Sequence, residues 1–284
     1  MDIIQVIVLA LVQGATEYLP ISSSGHLVVT SQILGWPDQG LTFDIAVHVG
    51  TLAAVLVYFW RDVGRMAYGL VSPLLGRAGA ESRLVWNVIV GTLPLVAAGY
   101  ALAKVNESDP AFINQTLRDP VVIGAASIGF GIVLWLADRL APRDATLRDM
   151  GPAGALFVGL AQVLALVPGT SRAGITITAA RLLGYERTEA ARFSLLLAIP
   201  AIAGAGILAG KDLMEAGDIA VTQDALIGAA LSFAAALVAI WLMLAWVRRA
   251  SYLPFVIYRI AFGAFLIWWF GGFGGFGGGG GGGA

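Results

Sequence analysis

Six stretches of this 284-residue chain stay apolar for about 17–22 residues at a time, at roughly 43–60, 86–103, 121–137, 193–210, 225–246 and 254–270. As a helix, a run of that length matches the hydrocarbon thickness of a bilayer. The runs are continuous rather than alternating, which excludes a transmembrane β-barrel. Only 12% of the residues are charged and the mean hydropathy is +0.83. Soluble domains carry about 25% charge, so lipid is the solvent this composition suits. The expected fold class is therefore an all-α polytopic membrane protein. Seventeen basic and 18 acidic residues nearly cancel, which gives nucleic acid no basic surface to bind. There is no cysteine, so disulfides, thiolate catalysis and cysteine-bound metal drop out. Asp2 is the only early charge, so the first segment does not read as a cleaved leader.

Two further apolar segments, 3–34 and 153–183, are each broken near the middle, by YLPISSSGH and by LVPGTSRAG. Proline explains each break, since it lacks a backbone donor and clashes with the preceding turn. Each half is about 10–15 residues, too short to cross, so both segments are expected to be re-entrant helical hairpins. The distribution of arginine supports this. Segments 61–83, 138–149 and 181–192, and the pair Arg248 and Arg249, are rich in arginine, whereas 104–119 and 211–224 are poor. Placing the rich segments in the cytoplasm makes 153–183 enter and leave on one side.

The two halves also repeat. Phe43 precedes Arg61–Asp62 as Phe193 precedes Lys211–Asp212, and Pro20 precedes Ser23 as Pro168 precedes Ser171. Each half is a broken hairpin followed by three spans. An odd number of spans inserts the second half upside down, giving an inverted-topology repeat with the hairpins meeting near the midplane. One membrane domain is expected over 1–270, with repeats of about 1–140 and 150–270, followed by a glycine-rich disordered tail at 271–284.

Ionisable groups cost at least about 2.5–3.5 kcal/mol at the membrane centre, so those in the hairpins need a reason. The first hairpin holds Gln13, Glu17, Ser22, Ser23, Ser24 and His26; the second holds Thr170, Ser171, Arg172, Thr176 and Thr178 around Gly169. Hydroxyls can simply satisfy backbone groups freed at the breaks, and Arg172 can simply neutralise Glu17. The functional reading makes Ser24, Gly169, Thr170, Ser171, Arg172 and Thr178 a phosphate cradle. Glu17, His26, Ser23 and Arg172 are then the candidate catalytic groups of a phosphoryl-transfer site. His26 follows Ser23 by three residues, so a shared helical face would let the imidazole take the hydroxyl proton. His26 could equally activate water or protonate the leaving group. Gln13 and Glu17, one turn apart, could offer oxygen ligands to a hard divalent cation, Mg2+ or Ca2+. His48, alone in an apolar span, reads as a packing histidine. No Walker-type phosphate loop is present.

QGATEYLPISSSGH, VPGTSRAGITIT, ARFSLLLAIPAI and PFVIYRIAFGAFL together resemble the undecaprenyl-diphosphatase, or bacitracin-resistance, family over residues 1 to about 270. The family's Glu/Gln-x-x-x-Glu motif falls on Gln13 and Glu17, its Ser-Ser/Thr-Gly-His element on Ser23–His26, and its Pro-Gly-x-Ser-Arg element on Pro168–Arg172. Position 173 is alanine where the family's motif usually continues with serine. The resemblance implies a divalent-cation-dependent enzyme of the bacterial cytoplasmic membrane. Its substrate would be undecaprenyl diphosphate, its surroundings membrane lipids, and a homodimer stays open. The other reading is an inverted-repeat transporter or lipid flippase, since broken helices in such repeats are a transporter design. The membrane face of the site, and serine against water as nucleophile, stay open.

Overall fold

The computed structural model describes residues 1–37, 39–77, 79–108, 116–215 and 223–272. The first broken segment forms α1 (Ile3–Thr16) and α2 (Ser23–Leu34). Three long helices follow in the first half: α3 (Leu41–Tyr58), α5 (Ala80–Ser108) and α6 (Pro120–Leu140), with the shorter α4 (Trp60–Val71) between the first two. The second half opens with α7 (Pro152–Gln162), a 3-10 turn at Val163–Leu166, and α8 (Arg172–Leu182). It closes with α9 (Arg187–Glu215), α10 (Gln223–Val247) and α11 (Leu253–Phe270). Six helices, α3, α5, α6, α9, α10 and α11, are long and apolar enough to cross a membrane, and among the described residues no β-sheet forms. The protein is a multi-pass membrane protein. The tail beyond Gly272 lies outside the described residues.

The segment read as a loop at 61–83 is instead mostly helical. Its first part is α4, which turns Asp62 and Gly69 inward and leaves Trp60, Arg65, Tyr68 and Leu70 exposed; a 3-10 turn at Ser72–Leu75 follows. Apolar and charged residues alternate with helical period there, and a charge count over the segment conceals that pattern.

The packing is reciprocal between the halves. The first hairpin's α1 lies on α10, and the second's α7 lies on α5, so each hairpin packs on the middle span of the other half. Equivalent spans pair with each other, α3 with α9 and α6 with α11. The start of α3 and the later part of α9 line one cavity, so these two helices run in opposite directions, as an inverted repeat requires. Close approach of α3 to α10 depends on Gly50, where an added Cβ would sit 2.2 Å from the Ala229 carbonyl oxygen.

The two ends of the bundle differ chemically. At one end the N-terminal ammonium pairs with Asp224 at 2.8 Å, tying α1 to the start of α10. At the other, Asp138 accepts from Arg181 Nε at 3.3 Å, from Arg187 at 2.7 Å through both Nε and Nη2, and from the Tyr252 backbone N–H at 3.2 Å. Arg181 is wholly buried and also donates to the carbonyls of Ala141, Pro142 and Tyr185. This clamp joins the ends of α6 and α8 to the starts of α9 and α11. Arg181 is thus a fastening and not a loop charge.

Candidate active site

Both breaks are built the same way. Ser22 precedes α2 with φ +75°, and Ser171 precedes α8 with φ +68°; these are the only non-glycine residues of positive φ among those described. A bulky residue in that region costs about 1–3 kcal/mol and persists only where its surroundings enforce it. The enforcing bonds come from the hydroxyls. Ser22 Oγ accepts the Gly169 N–H at 3.1 Å, linking one break to the other, and Ser171 Oγ caps α8 by accepting the Gly174 N–H at 3.0 Å. Gly169 has φ +91°, and an added Cβ would meet the Ile123 carbonyl oxygen at 2.3 Å, so only glycine fits.

The backbone equivalent of Ser171 is therefore Ser22, one residue before the Ser23 that the sequence spacing pairs with it. The register shift has a chemical consequence, because Ser23 and Arg172 become the first residues of α2 and α8. Both reach the same carboxylate. Ser23 Oγ donates to Glu17 Oε2 at 2.7 Å, and Arg172 Nη2 donates to Glu17 Oε1 at 3.2 Å. Gln13 Nε2 adds a bond to Glu17 Oε2 at 3.0 Å, and His48 Nε2 stands 3.9 Å from the same oxygen. Glu17 is thereby a buried carboxylate surrounded by donors from both halves, which offsets its desolvation.

Glu17 and Arg172 line a cavity of about 350 Å3 with Asp44 and His48 of α3. The rest of the lining is apolar: Leu41 and Ile45 of α3, Leu95 of α5, Ala165 and Leu166 of the 3-10 turn, and the Ala201–Ala209 stretch of α9. The cavity thus sets a few charged and polar side chains in a mostly apolar wall. It lies toward the end of the bundle that carries Asp224 and the start of α3, away from the Asp138 clamp. A larger groove of about 730 Å3 sits between α1, α10 and α11, and no charged residue lines it.

The geometry separates the expected residues. His26 does not face Ser23. Its Nδ1 is 2.6 Å from the Ser22 carbonyl, its Nε2 is 2.6 Å from Tyr258 Oη, and its ring stacks on Phe262 at 4.3 Å. The expected Ser23–His26 pair is not formed, because the strained turn at Ser22 aims Ser23 at Glu17 while the ring one turn on is held by α11. His48, read as packing, is the imidazole that lines the cavity. The i, i+4 spacing of Asp44 and His48 was the available signal. Thr178 bonds the Gly174 carbonyl at 2.7 Å inside α8 and lines no part of the cavity. Thr170 is fully buried, Ser171 serves as a cap, and the Gly169 N–H is taken by Ser22. Exposed Ser24 lies 3.4 Å from Ser22 Oγ. Of the expected cradle, Arg172 alone lines the cavity; the others bond within or between the hairpins, and Gly169 and Thr170 also through their carbonyls to Arg259 of α11.

Gln13 lies behind Glu17. It is wholly buried, its Oε1 has no partner, and it lines no part of the cavity. Glu17 and Asp44 are the carboxylates that do. Among the described residues, no group of three or more acidic, histidine or cysteine side chains gathers into a metal cage. A cation placed in this cavity would meet the Glu17 and Asp44 carboxylates and not Gln13.

A polytopic helical membrane protein with a serine, carboxylate and guanidinium assembled at two broken helices has the parts of a membrane-embedded phosphoryl-transfer enzyme. The comparison with known proteins is specific: residues 6–265 match the family model described as bacitracin resistance protein BacA, and the chain belongs to that family. It is 50% identical over 270 residues to the undecaprenyl-diphosphatase of Chromohalobacter salexigens, covering 95% of this chain and 99% of that protein. It is 47% identical over 269 residues to the undecaprenyl-diphosphatase of Alteromonas mediterranea, covering 94% and 98%.

Proposed function

We propose that the protein hydrolyses undecaprenyl diphosphate to undecaprenyl phosphate and inorganic phosphate in the bacterial cytoplasmic membrane, returning the lipid carrier to cell-wall synthesis. The observation that carries this reading is the convergence of Ser23 and Arg172, one from each half, on Glu17 at 2.7 and 3.2 Å. The curated relatives share nearly the whole chain and bear the name undecaprenyl-diphosphatase.

In this reading Arg172 holds the terminal phosphoryl group and draws away from Glu17 to do so. Glu17, relieved of its cationic partner, accepts the Ser23 proton as Oγ attacks phosphorus. The anhydride bond breaks and undecaprenyl phosphate leaves. Water then cleaves the phosphoserine, releasing phosphate and restoring the hydroxyl. His48 is the imidazole placed to take the proton from Glu17 between the steps. His26, with both ring nitrogens engaged, holds α2 against α11. A divalent cation held by Glu17 and Asp44 would neutralise charge on the diphosphate.

The apolar lining suits the first isoprene units of the lipid chain. The hairpins, each too short to span, read as re-entrant elements meeting within the bilayer. The cavity lies toward the arginine-poor end, which the positive-inside rule places on the outer face.

The test is phosphate release from a C15 or C55 prenyl diphosphate by protein purified in detergent. Release that disappears in Ser23→Ala supports the reading. No release by the wild type, with lipid or anion movement in proteoliposomes, overturns it in favour of a transporter.

A further inference from the structure

Arg259 lies within α11, in a span that is otherwise apolar, and its side chain is wholly buried. Among the described residues no carboxylate lies within ion-pair distance of it. All its partners are backbone carbonyls: Nε donates to Ser127 at 3.1 Å, Nη1 to Pro20 at 3.3 Å, and Nη2 to Gly169 at 2.9 Å and Thr170 at 2.8 Å. Pro20 and Gly169 stand two residues before Ser22 and Ser171, so the guanidinium grips equivalent carbonyls of the two breaks. Those carbonyls are ones that broken helices leave without helical partners.

A buried, unpaired guanidinium costs several kcal/mol, and satisfying carbonyls does not by itself require one. A neutral amide could serve two of them. The guanidinium is distinguished by its rigid planar fork, whose donors reach three separate segments at once. One side chain then fixes where both turns lie relative to each other. Ser23 starts just past one turn and Arg172 just past the other, so the distance from nucleophile to phosphate clamp depends on this grip. Such placement matters steeply, since a misplacement of about 1 Å can cost about a hundredfold in rate.

We infer that Arg259 is a positioning residue for the reaction proposed above, holding the two halves of the site in register through the hairpin carbonyls without touching substrate. The inference rests on that function. Glycine at 174 is part of the same device: an added Cβ there would lie 2.5 Å from Arg259 Nη1 and displace the guanidinium. Elsewhere in a helix interior, alanine in place of glycine is favourable.

The experiment measures kcat and KM for C15 prenyl diphosphate with wild type, Arg259→Gln, Arg259→Lys and Gly174→Ala, each purified in detergent as monodisperse protein. Arg259→Gln is expected to lower kcat about a hundredfold with KM within about threefold, because alignment is lost while the chain pocket is intact. Arg259→Lys should recover about tenfold of that loss, since the ammonium still reaches some carbonyls. Gly174→Ala should lower kcat in the same KM-neutral way at unchanged charge, and it carries the test if Arg259→Gln fails to fold. The inference is overturned if either Arg259→Gln or Gly174→Ala keeps kcat within threefold of wild type. It is equally overturned if Arg259→Lys is no better than Arg259→Gln, or if the loss falls on KM. A wild type that releases no phosphate sinks the proposed function instead, so the two failures are distinct.

Discussion

Ser22 and Ser171 hold the same left-handed backbone conformation, at φ +75° and +68°, each immediately before the second helix of its hairpin. Their hydroxyls are used differently. Ser22 accepts the Gly169 N–H of the opposite half, whereas Ser171 caps its own helix at Gly174 and also donates to the Leu19 carbonyl of the opposite half at 3.5 Å. The repeat thus preserves backbone geometry, and the residues that follow, Ser23 and Arg172, both reach one carboxylate, Glu17. Replacing Ser22 with glycine would relieve the strained φ but delete one of the bonds between the two breaks. Ser22→Gly is expected to retain most thermal stability and lose at least tenfold in kcat, measured by phosphate release and by thermal unfolding in detergent. Full activity would mean that the cross-link between the breaks is dispensable.

In the proposed mechanism Ser23 and Glu17 share one proton transfer, so their losses should not add. Ser23→Ala and Glu17→Gln are each expected to lower kcat by about three orders of magnitude or more, and the double variant should be hardly worse than either. Additive losses in the double-mutant cycle would show that the two residues work in separate steps. Labelling offers a second check: a phosphoserine trapped at position 23 with labelled diphosphate is expected in wild type, and its absence after rapid quench would favour water as the nucleophile.

The class of fold and much of the site were legible because both follow from cost. An apolar run of bilayer length has few fates, and Glu17 and Arg172 in a lipid-soluble segment need each other or a ligand. The six spans and both broken segments accordingly stand where hydropathy and proline put them. What spacing could not convey is direction around a break. The rule that residues three apart share a face assumes a continuous helix, and Ser23 begins one just after a residue with φ +75°. That is why His26 and Ser23 part company, and why His48, four residues beyond Asp44 on unbroken α3, takes the place facing Glu17. Arg259 was hidden for another reason. Its partners are backbone carbonyls, and no sequence pattern marks a carbonyl as unsatisfied.

The two histidines can be told apart by conservative replacement. His26 bridges the Ser22 carbonyl and Tyr258 Oη, a role that an amide can approximate. His26→Gln is therefore expected to keep kcat within about tenfold, with an unshifted pH–rate profile. His48→Gln should instead lower kcat by about a hundredfold or more. A His26→Gln enzyme reduced by three orders of magnitude would restore His26 to acid–base duty.

Asp138 offers a control in which stability and chemistry separate. It is buried and receives Arg181, Arg187 and the Tyr252 N–H at the end of the bundle opposite the cavity. Removing one partner of such a buried ionic cluster costs about 3–5 kcal/mol, because the remaining charges stay desolvated. Asp138→Ala should lower the midpoint of thermal unfolding by several degrees or more while the surviving folded fraction turns over at near the wild-type rate. A large kcat defect in protein shown to be folded would extend the functional site to that end.

In the proposed function the cavity joins the phosphoryl chemistry to the lipid chain, and its lining predicts how the two can be uncoupled. On α9, Ala201, Ala205 and Ala209 recur every fourth residue along one face and line the cavity with Ile202 and Gly206. If the prenyl chain lies there, a larger side chain at 205 obstructs the first isoprene units but leaves Glu17, Ser23 and Arg172 untouched. Ala205→Phe is expected to raise KM for a C55 or C15 diphosphate at least tenfold. Hydrolysis of a diphosphate with a short, flexible alkyl chain should change less than about threefold. An equal effect on both substrates would place the chain elsewhere, and the uncharged groove between α1, α10 and α11 would then be the next surface to block.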